Sequence, residues 1–483
     1  MSRRRVKGIS QAIAGEEQRK APLAGAWIAG VALLLGLVGY LIYALVPSED
    51  RSTGYRPGVE RPANSDQQPS PAVSGALAAQ APASQAGSAL RLPTEASPFS
   101  TEEMQQKLLR AVEDAVQQYP QDASVLHIGA MTYAELLQTD RAGELFAASL
   151  AIDPTQTAVA VAYAEMLQQA GDLQKCADVL RKAGEQGVET AERLALLGEI
   201  YSQQGELELA QEVLSRGVGL FPQHGLMRLE LAQVQVQLDE FELAIENAQA
   251  AIDQGQDVRA AYLAKSTALL KLGKRDEALE VRRKIPRMEK HVTADDAKYQ
   301  SSFREFAHHT YTLLAVVSAS QENVRQAEEL LMQAIALKPS SERSLVALAD
   351  ILRRNGRLQD ALLVLQRLVE VHPENSLNFT NAANLAIQLG DIERAGSFLK
   401  EATQHDSSGR SQYILARFLL GAGEARGAAE QAALAADRLG DFDSYAVWVV
   451  ALRAAGDEAQ AVAITLKARE LFPGDPRLAR LLE

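Results

Sequence analysis

The chain has 483 residues, of which 47% are hydrophobic and 5% aromatic, and its formal net charge is −13. This Ala- and Leu-rich, aromatic-poor composition favours helices that cross at short distances over sheets. The acidic balance argues against nucleic acid as a main partner, because phosphate binding requires a basic surface. The single cysteine, Cys176, excludes a disulfide within the chain.

The first 46 residues are predicted to form a membrane anchor. Residues 1–20 are basic, and residues 21–46 carry no charge and are long enough to span a bilayer as one helix. The positive-inside rule places residues 1–20 in the cytoplasm and the rest of the chain outside the cytoplasmic membrane. A cleaved signal peptide is the alternative, but its apolar part would be shorter. Ala32 and Gly36 have the spacing of a small-residue contact, through which two such helices could self-associate.

A linker and a first helix follow the anchor. Residues 47–98 are rich in Pro, Ala, Ser, Gly and Gln, so this segment cannot bury enough apolar surface to fold and is predicted to be disordered. Order is predicted to begin at Ser100, since the sequence Ser-Thr-Glu-Glu is a helix-start signal. The helix that ends near Tyr119 is predicted to cap the structure that comes after it.

Between residues 123 and 473 the sequence repeats with a period of about 34 residues and one interruption. Each unit is predicted to form two short amphipathic helices. A small residue recurs in the second helix as Ala142, Cys176, Ala210, Ala244, Ala278, Ala327, Ala361, Ala395, Ala428 and Ala461. A glycine that would close the first helix recurs as Gly171, Gly205, Gly273, Gly356, Gly390, Gly423 and Gly456.

The period, the helix pairs and the small-residue positions resemble the tetratricopeptide repeat. The resemblance implies an all-α, right-handed superhelical solenoid of about ten helix-turn-helix repeats. Repeats 1–5, with the preceding helix, would occupy residues 99–285, and repeats 6–10 would occupy residues 308–474. Residues 286–307 are predicted to be an insertion with an extended helix, either a bend or a joint between two lobes. Residues 475–483 are predicted to form a capping helix.

No catalytic, cofactor or metal motif is present in the sequence. It contains no nucleophile elbow, phosphate-binding loop, HExxH or CxxC. His308 and His309 are adjacent, so they point to different sides of a helix, and neither has a His or carboxylate four residues further on. Cys176 occupies a small-residue position and is predicted to be buried. We therefore expect no enzymatic activity, no cofactor and no metal.

A binding groove is what the resemblance implies instead. In the tetratricopeptide family, the first helix of each repeat lines a concave groove that binds protein or peptide partners. The resemblance assigns to this groove Glu165, Glu192, Glu199, Leu226, Leu229, Gln233, Val236, Leu263, Leu270, Arg343, Asp350, Arg353, Thr380, Asn384, Arg410, Tyr413, Arg417 and Arg453. The groove would run from acidic, through apolar, to basic. Alternatively, the apolar residues contact neighbouring helices and the charges are only solvated.

These observations predict a membrane-anchored scaffold or adaptor. By family analogy its role would lie in cell-envelope assembly, secretion or polysaccharide export. A regulatory subunit of a separate enzyme is one alternative. An organelle import or chaperone receptor with cytosolic repeats is another. The N-terminal arginines disfavour it, and so does the lack of the family's carboxylate clamp, since Thr380, Ile414 and Val447 replace its lysine, asparagine and arginine.

Overall fold

The computed structural model of the chain describes residues 90–255, 258–285, 296–478 and 481. The predicted basic tail, the transmembrane segment 21–46 and most of the linker lie outside these residues. Within the described ranges, no helix is both long enough and apolar enough to cross a bilayer.

The described residues form 21 α-helices and no β-strand. Their bounds are α1 (Thr101–Gln118), α2 (Ala123–Glu135), α3 (Thr139–Ile152), α4 (Thr157–Ala170), α5 (Leu173–Gln186), α6 (Ala191–Gln204), α7 (Leu207–Leu220), α8 (Gly225–Gln237), α9 (Phe241–Asp253), α10 (Val258–Lys271), α11 (Arg275–Arg283), α12 (Asp296–Ser320), α13 (Val324–Leu337), α14 (Glu342–Arg354), α15 (Leu358–Val371), α16 (Ser376–Gln388), α17 (Ile392–His405), α18 (Arg410–Gly421), α19 (Ala425–Leu439), α20 (Phe442–Ala454) and α21 (Glu458–Leu471). We call α2–α11 the first stack and α12–α21 the second stack; each contains five helix pairs.

Small residues allow the two helices of each pair to pack closely. All ten small residues of the second helices, from Ala142 to Ala461, have 0% of their surface exposed. Cys176 is one of them, and its thiol lies 3.3 Å from the carbonyl oxygen of Ala164 on the first helix of the same pair. The repeat pattern seen in the sequence is therefore the pattern of helix crossings in the fold.

The turn inside each pair has the same backbone conformation in all ten repeats. The residue that closes the first helix has a positive φ, which glycine adopts without a steric cost. Seven of these residues are the glycines predicted from the sequence. The other three are Leu137, Asp239 and Glu322, with φ of 58°, 60° and 59°. The backbone repeat is thus more regular than the sequence repeat.

Replacing Leu137 with glycine is expected to stabilise the first stack by about 1 kcal/mol. A left-handed conformation costs a residue with a Cβ roughly 1–2 kcal/mol, and the exposed Leu137 side chain contributes little packing in return. Leu209 is a matched control, because it is also exposed but lies within α7. Leu209→Gly should destabilise the first stack by about 1 kcal/mol, because glycine has a low helix propensity. Denaturant unfolding followed by circular dichroism measures both, and a loss of stability in Leu137→Gly would contradict the assignment.

The helix α1 joins the two stacks. It begins with a capping box, in which the Ser100 hydroxyl accepts from the Glu103 amide and the Glu103 carboxylate accepts from the Ser100 amide. It then packs on α2 of the first stack and on α12 of the second. The Tyr119 hydroxyl, just after α1, donates to Gln326 on α13 at 3.0 Å.

The residues before α1 also contact the second stack. The Ser97 amide donates to the Ala336 carbonyl at 2.8 Å, and Arg304 Nη1 donates to the Ser97 carbonyl at 2.9 Å. The predicted disordered linker therefore ends earlier than expected. Its last residues are held in place because their backbone groups find partners on α12 and α13.

The two stacks do not continue one another as the predicted single solenoid would. The 25-residue helix α12 packs on α1 and α2 and makes no extensive contact with α11 among the described residues. The helix α1 therefore contacts helices of both stacks, and not only the first repeat that it was predicted to cap. At the other end of the second stack, Leu478 and Leu481 are buried against α20.

Candidate functional site

The first helices of successive repeats contact one another throughout the first stack and at both ends of the second stack; we call the side that they form the inner face. Contacts between successive repeats join α6 to α8, α8 to α10, α12 to α14 and α18 to α20, all of which are first helices. Among the described residues, the second helices of successive repeats make no comparable contacts. A stack curves towards the side on which its helices lie closest. A partner that follows the stack would therefore contact the first helices.

In the first stack, the predicted acidic part of the groove contains a pair of carboxylates. Glu165 and Glu199 are both partly buried. Burial, reinforced by the charge of Glu199, raises the pKa of Glu165 above its usual value. Glu199 accepts hydrogen bonds from Gln168 at 2.7 Å and from Gln203 at 2.8 Å.

The predicted apolar part of the groove is only partly available. Leu229 is 2% exposed and packs against Ala251 and Ala261, so it cannot contact a partner; its prediction as a groove residue was wrong. Gln233 and Val236 are partly exposed, and Leu263 is 41% exposed. The difference between Leu229 and Leu263 arises because the next helix pair covers Leu229.

In the second stack, Arg353 on α14 is an exposed cation. Its Nη2 atom lies 2.7 Å from Oδ1 of Asp350. The Nε atom of Arg354 lies 2.7 Å from Oδ2 of the same carboxylate. Two cations thus share one carboxylate, which leaves a net positive charge. Arg343, about two helical turns before Asp350, is partly buried, and burial lowers the pKa of its guanidinium.

The next two repeats contribute a mixture of exposed and buried side chains. Thr380 is 7% exposed, and its hydroxyl donates to the Ser376 carbonyl at 3.1 Å, so it serves the helix and not the groove; this prediction was wrong. Asn384 is exposed. On α18, the Arg417 guanidinium lies 5.7 Å from the centre of the Tyr413 ring, within range of a cation–π interaction.

An apolar hollow of about 240 Å³ lies between α18 and α20. It is lined by Arg417, Leu420, Ala446, Val447 and Val450. Leu420, Ala446 and Val450 were not among the residues predicted to line the groove. They lie at the same positions within their repeats as residues that were predicted, so position within the repeat could have identified them.

Arg453 has a structural role. Its Nη2 atom donates to the Leu481 carbonyl at 2.9 Å, and its Nε atom lies 3.6 Å from Glu458. Arg453 therefore holds the C-terminal residues against α20. Three further arginines assigned to the groove are exposed: Arg353, which is paired with Asp350, Arg417, and Arg410 at the start of α18.

Comparison with known proteins identifies the repeats. The model of the tetratricopeptide repeat family matches residues 195–258, 229–287 and 313–376. A search of curated proteins found no match.

Among solved structures, the chain resembles YrrB, a TPR protein with an unusual peptide-binding site, at 16% identity and a TM-score of 0.28; the match covers 50% of this chain and 98% of YrrB. It resembles Pseudomonas aeruginosa PilF at 19% identity and a TM-score of 0.28, over 46% of this chain and 96% of that one. It also resembles human IFIT1 in complex with m7Gppp-AAAA, at 14% identity and a TM-score of 0.25; this match covers 79% of this chain and 97% of that one. We infer no partner or activity from these likenesses.

The family match coincides with the helix pairs, their buried small residues and their shared turn. The matched segments are therefore tetratricopeptide repeats, a scaffold suited to binding protein or peptide partners.

Proposed function

We propose that this protein is a non-catalytic adaptor that binds a segment of a partner protein along the inner face of its second stack. The observation that carries the proposal is the hollow beside Arg417, where an exposed cation borders an apolar depression. An aliphatic side chain in this depression would be removed from water, and the neighbouring guanidinium would pair with a carboxylate.

The pattern of charge indicates the chemistry of the partner. Arg353 is exposed on α14, and Arg410 and Arg417 are exposed on α18, the first helix two repeats further on. The acidic Asp350 is already shared between two arginines. A complementary segment carries carboxylates alternating with aliphatic residues, presented on an amphipathic helix or an extended strand. A basic segment would be repelled.

We further propose that residues 21–46 anchor this adaptor in the cytoplasmic membrane with the repeats outside. The support is the charge-free length of this segment and the basic residues that precede it. In that position the adaptor would gather components of envelope assembly, secretion or polysaccharide export.

Reversing both Arg353 and Arg417 to glutamate is expected to weaken binding of an acidic amphipathic peptide at least about tenfold, because two attractions become repulsions. The probe is a fluorescein-labelled 14-residue peptide with leucine at positions i, i+3, i+4 and i+7 and glutamate elsewhere. Fluorescence anisotropy measures its affinity, and the same peptide with lysine for glutamate should bind the wild type weakly.

The matched control reverses arginines that lie away from the inner face. Arg325 on α13 and Arg181 on α5 are exposed and belong to second helices. Their reversal changes the net charge equally, so it should alter the affinity less than about twofold. Equal losses in both double variants would show that net charge, and not the groove, attracts the peptide.

A further inference from the structure

A second site, separate from the groove, lies on α12. Glu305, His308 and His309 occupy one turn of this helix, where residues three and four apart are neighbours. One potential ligand atom of each lies within 4.8 Å of the other two. The carboxylate of this cluster precedes the histidines in the sequence, whereas no carboxylate follows them by four residues.

The imidazole of His309 is oriented by Glu305. Its Nε2 atom lies 3.1 Å from Glu305 Oε1. Because a carboxylate oxygen accepts a hydrogen bond, Nε2 is the donor, and in the neutral ring Nδ1 then carries a free lone pair. This Nδ1 atom is buried and has no hydrogen-bond partner among the described residues.

The imidazole of His308 is also held in place from one side only. The residue is 2% exposed, and its Nε2 atom lies 3.0 Å from the Ser344 hydroxyl, which is in turn 2.9 Å from the Thr312 hydroxyl. Its Nδ1 atom is buried and lacks a partner within the described part of the chain. Buried polar atoms are almost always paired. Two unpartnered ring nitrogens on neighbouring histidines, whose ring centres are 5.0 Å apart, therefore point to a ligand.

We propose that Glu305, His308 and His309 bind a divalent transition-metal ion of the zinc class. Two imidazole nitrogens and a carboxylate oxygen are a donor set that zinc, cobalt and nickel accept. Bonds of about 2.1 Å place the donor atoms of a tetrahedral ion about 3.4 Å apart, so the three side chains must move closer together when the ion binds. The ring of His309 must also turn, because its Nε2 atom now faces Glu305 and its free Nδ1 atom faces away from that carboxylate. The contact of His308 with Ser344 supplies the outer-shell hydrogen bond that usually orients a metal-binding histidine.

Lys338 competes with the ion. Its ammonium lies 2.7 Å from Glu305 Oε1, and its side chain is 44% exposed, so it can move into water when the ion binds. The side chain of Glu305 is 40% exposed, which gives the ion a route from solvent. The site is therefore one of moderate affinity, and removal of Lys338 should strengthen it.

The test is a calorimetric titration of the full-length protein, purified in detergent without a histidine tag, with ZnCl₂ and separately with CoCl₂. We expect one ion per chain, with visible absorption bands from bound cobalt. His309→Gln and Glu305→Gln should each weaken binding at least about tenfold, and Lys338→Met should strengthen it. Circular dichroism checks that the variants remain folded.

His372 provides the matched control. It also has a neighbouring carboxylate, with Nδ1 lying 3.3 Å from Glu374, but among the described residues no third ligand completes a cluster with these two. His372→Gln should therefore bind zinc like the wild type. Absence of binding below about 1 mM zinc, equal binding by wild type and His309→Gln, or unchanged affinity in Lys338→Met would each overturn the proposal.

Discussion

Replacing Arg193 with alanine is expected to lower the free energy of unfolding of the first stack by about 3–5 kcal/mol. Arg193 on α6 is 1% exposed. Its Nη1 atom donates to the Leu180 carbonyl on α5 at 3.0 Å, and its Nη2 atom pairs with Glu189. The substitution leaves the Leu180 carbonyl without this partner and creates a cavity between two repeats.

The glycine opposite Arg193 makes room for this buried guanidinium. A Cβ atom at Gly184 would lie 2.5 Å from Arg193 Nη1, so the two residues fit only as a pair. Denaturant unfolding monitored by circular dichroism measures how much the free energy of unfolding of the first stack decreases in the Arg193→Ala variant. Arg181→Ala removes an exposed arginine of the same region and should cost less than about 1 kcal/mol. Similar costs for the two variants would mean that Arg193 is not an essential link between repeats.

Replacing Gly198 with alanine is expected to destabilise the first stack by about 1–3 kcal/mol. Gly198 lies where α6 crosses α7, and a Cβ atom there would lie 2.4 Å from Leu214 Cγ. Leu214 is fully buried and has no space into which it can move. The helices would have to separate, with a loss of packing along both.

A second glycine, Gly219, provides a control, because its replacement with alanine is expected to stabilise the protein and not to destabilise it. Gly219 lies in α7, and a Cβ atom there would meet no atom within 4 Å. Gly219→Ala should therefore raise the free energy of unfolding of the first stack by roughly 0.5 kcal/mol, because alanine has a higher helix propensity than glycine. Thermal and denaturant unfolding of both variants test this difference in sign, and a stabilised Gly198→Ala protein would contradict the close crossing.

The helix pairs could be predicted from the sequence because their causes are local and periodic. A small residue every 34 positions marks each crossing, and a glycine marks most of the turns. Leu137, Asp239 and Glu322 show the limit of this signal, since packing of the flanking helices imposes a left-handed turn on residues that do not favour it. The preference of glycine for a positive φ predicted seven of the turns, whereas the packing of the helices imposes the same conformation on all ten.

The arrangement of the two stacks could not be predicted from the sequence. The contact of Ser97 with Ala336 joins residues far apart in the chain, and no local pattern indicates it. The candidate groove was uncertain for a similar reason. Leu229 and Leu263 occupy the same position in neighbouring repeats, yet only Leu229 is covered by a further helix pair. The position of a residue within its repeat predicts the side of the helix on which its side chain lies. The exposure of that side chain depends on whether another helix pair packs against it.

The attachment of α1 to both stacks has a mechanical consequence. Tension applied through the N-terminus reaches the repeats at Ser97, where a backbone hydrogen bond to Ala336 and the side chain of Arg304 hold the chain. These bonds and the packing of α1 must fail before any helix pair is pulled away. Tension applied through the C-terminus is instead first resisted by the contact of Leu481 with Arg453, which involves only the last helix pair of the second stack.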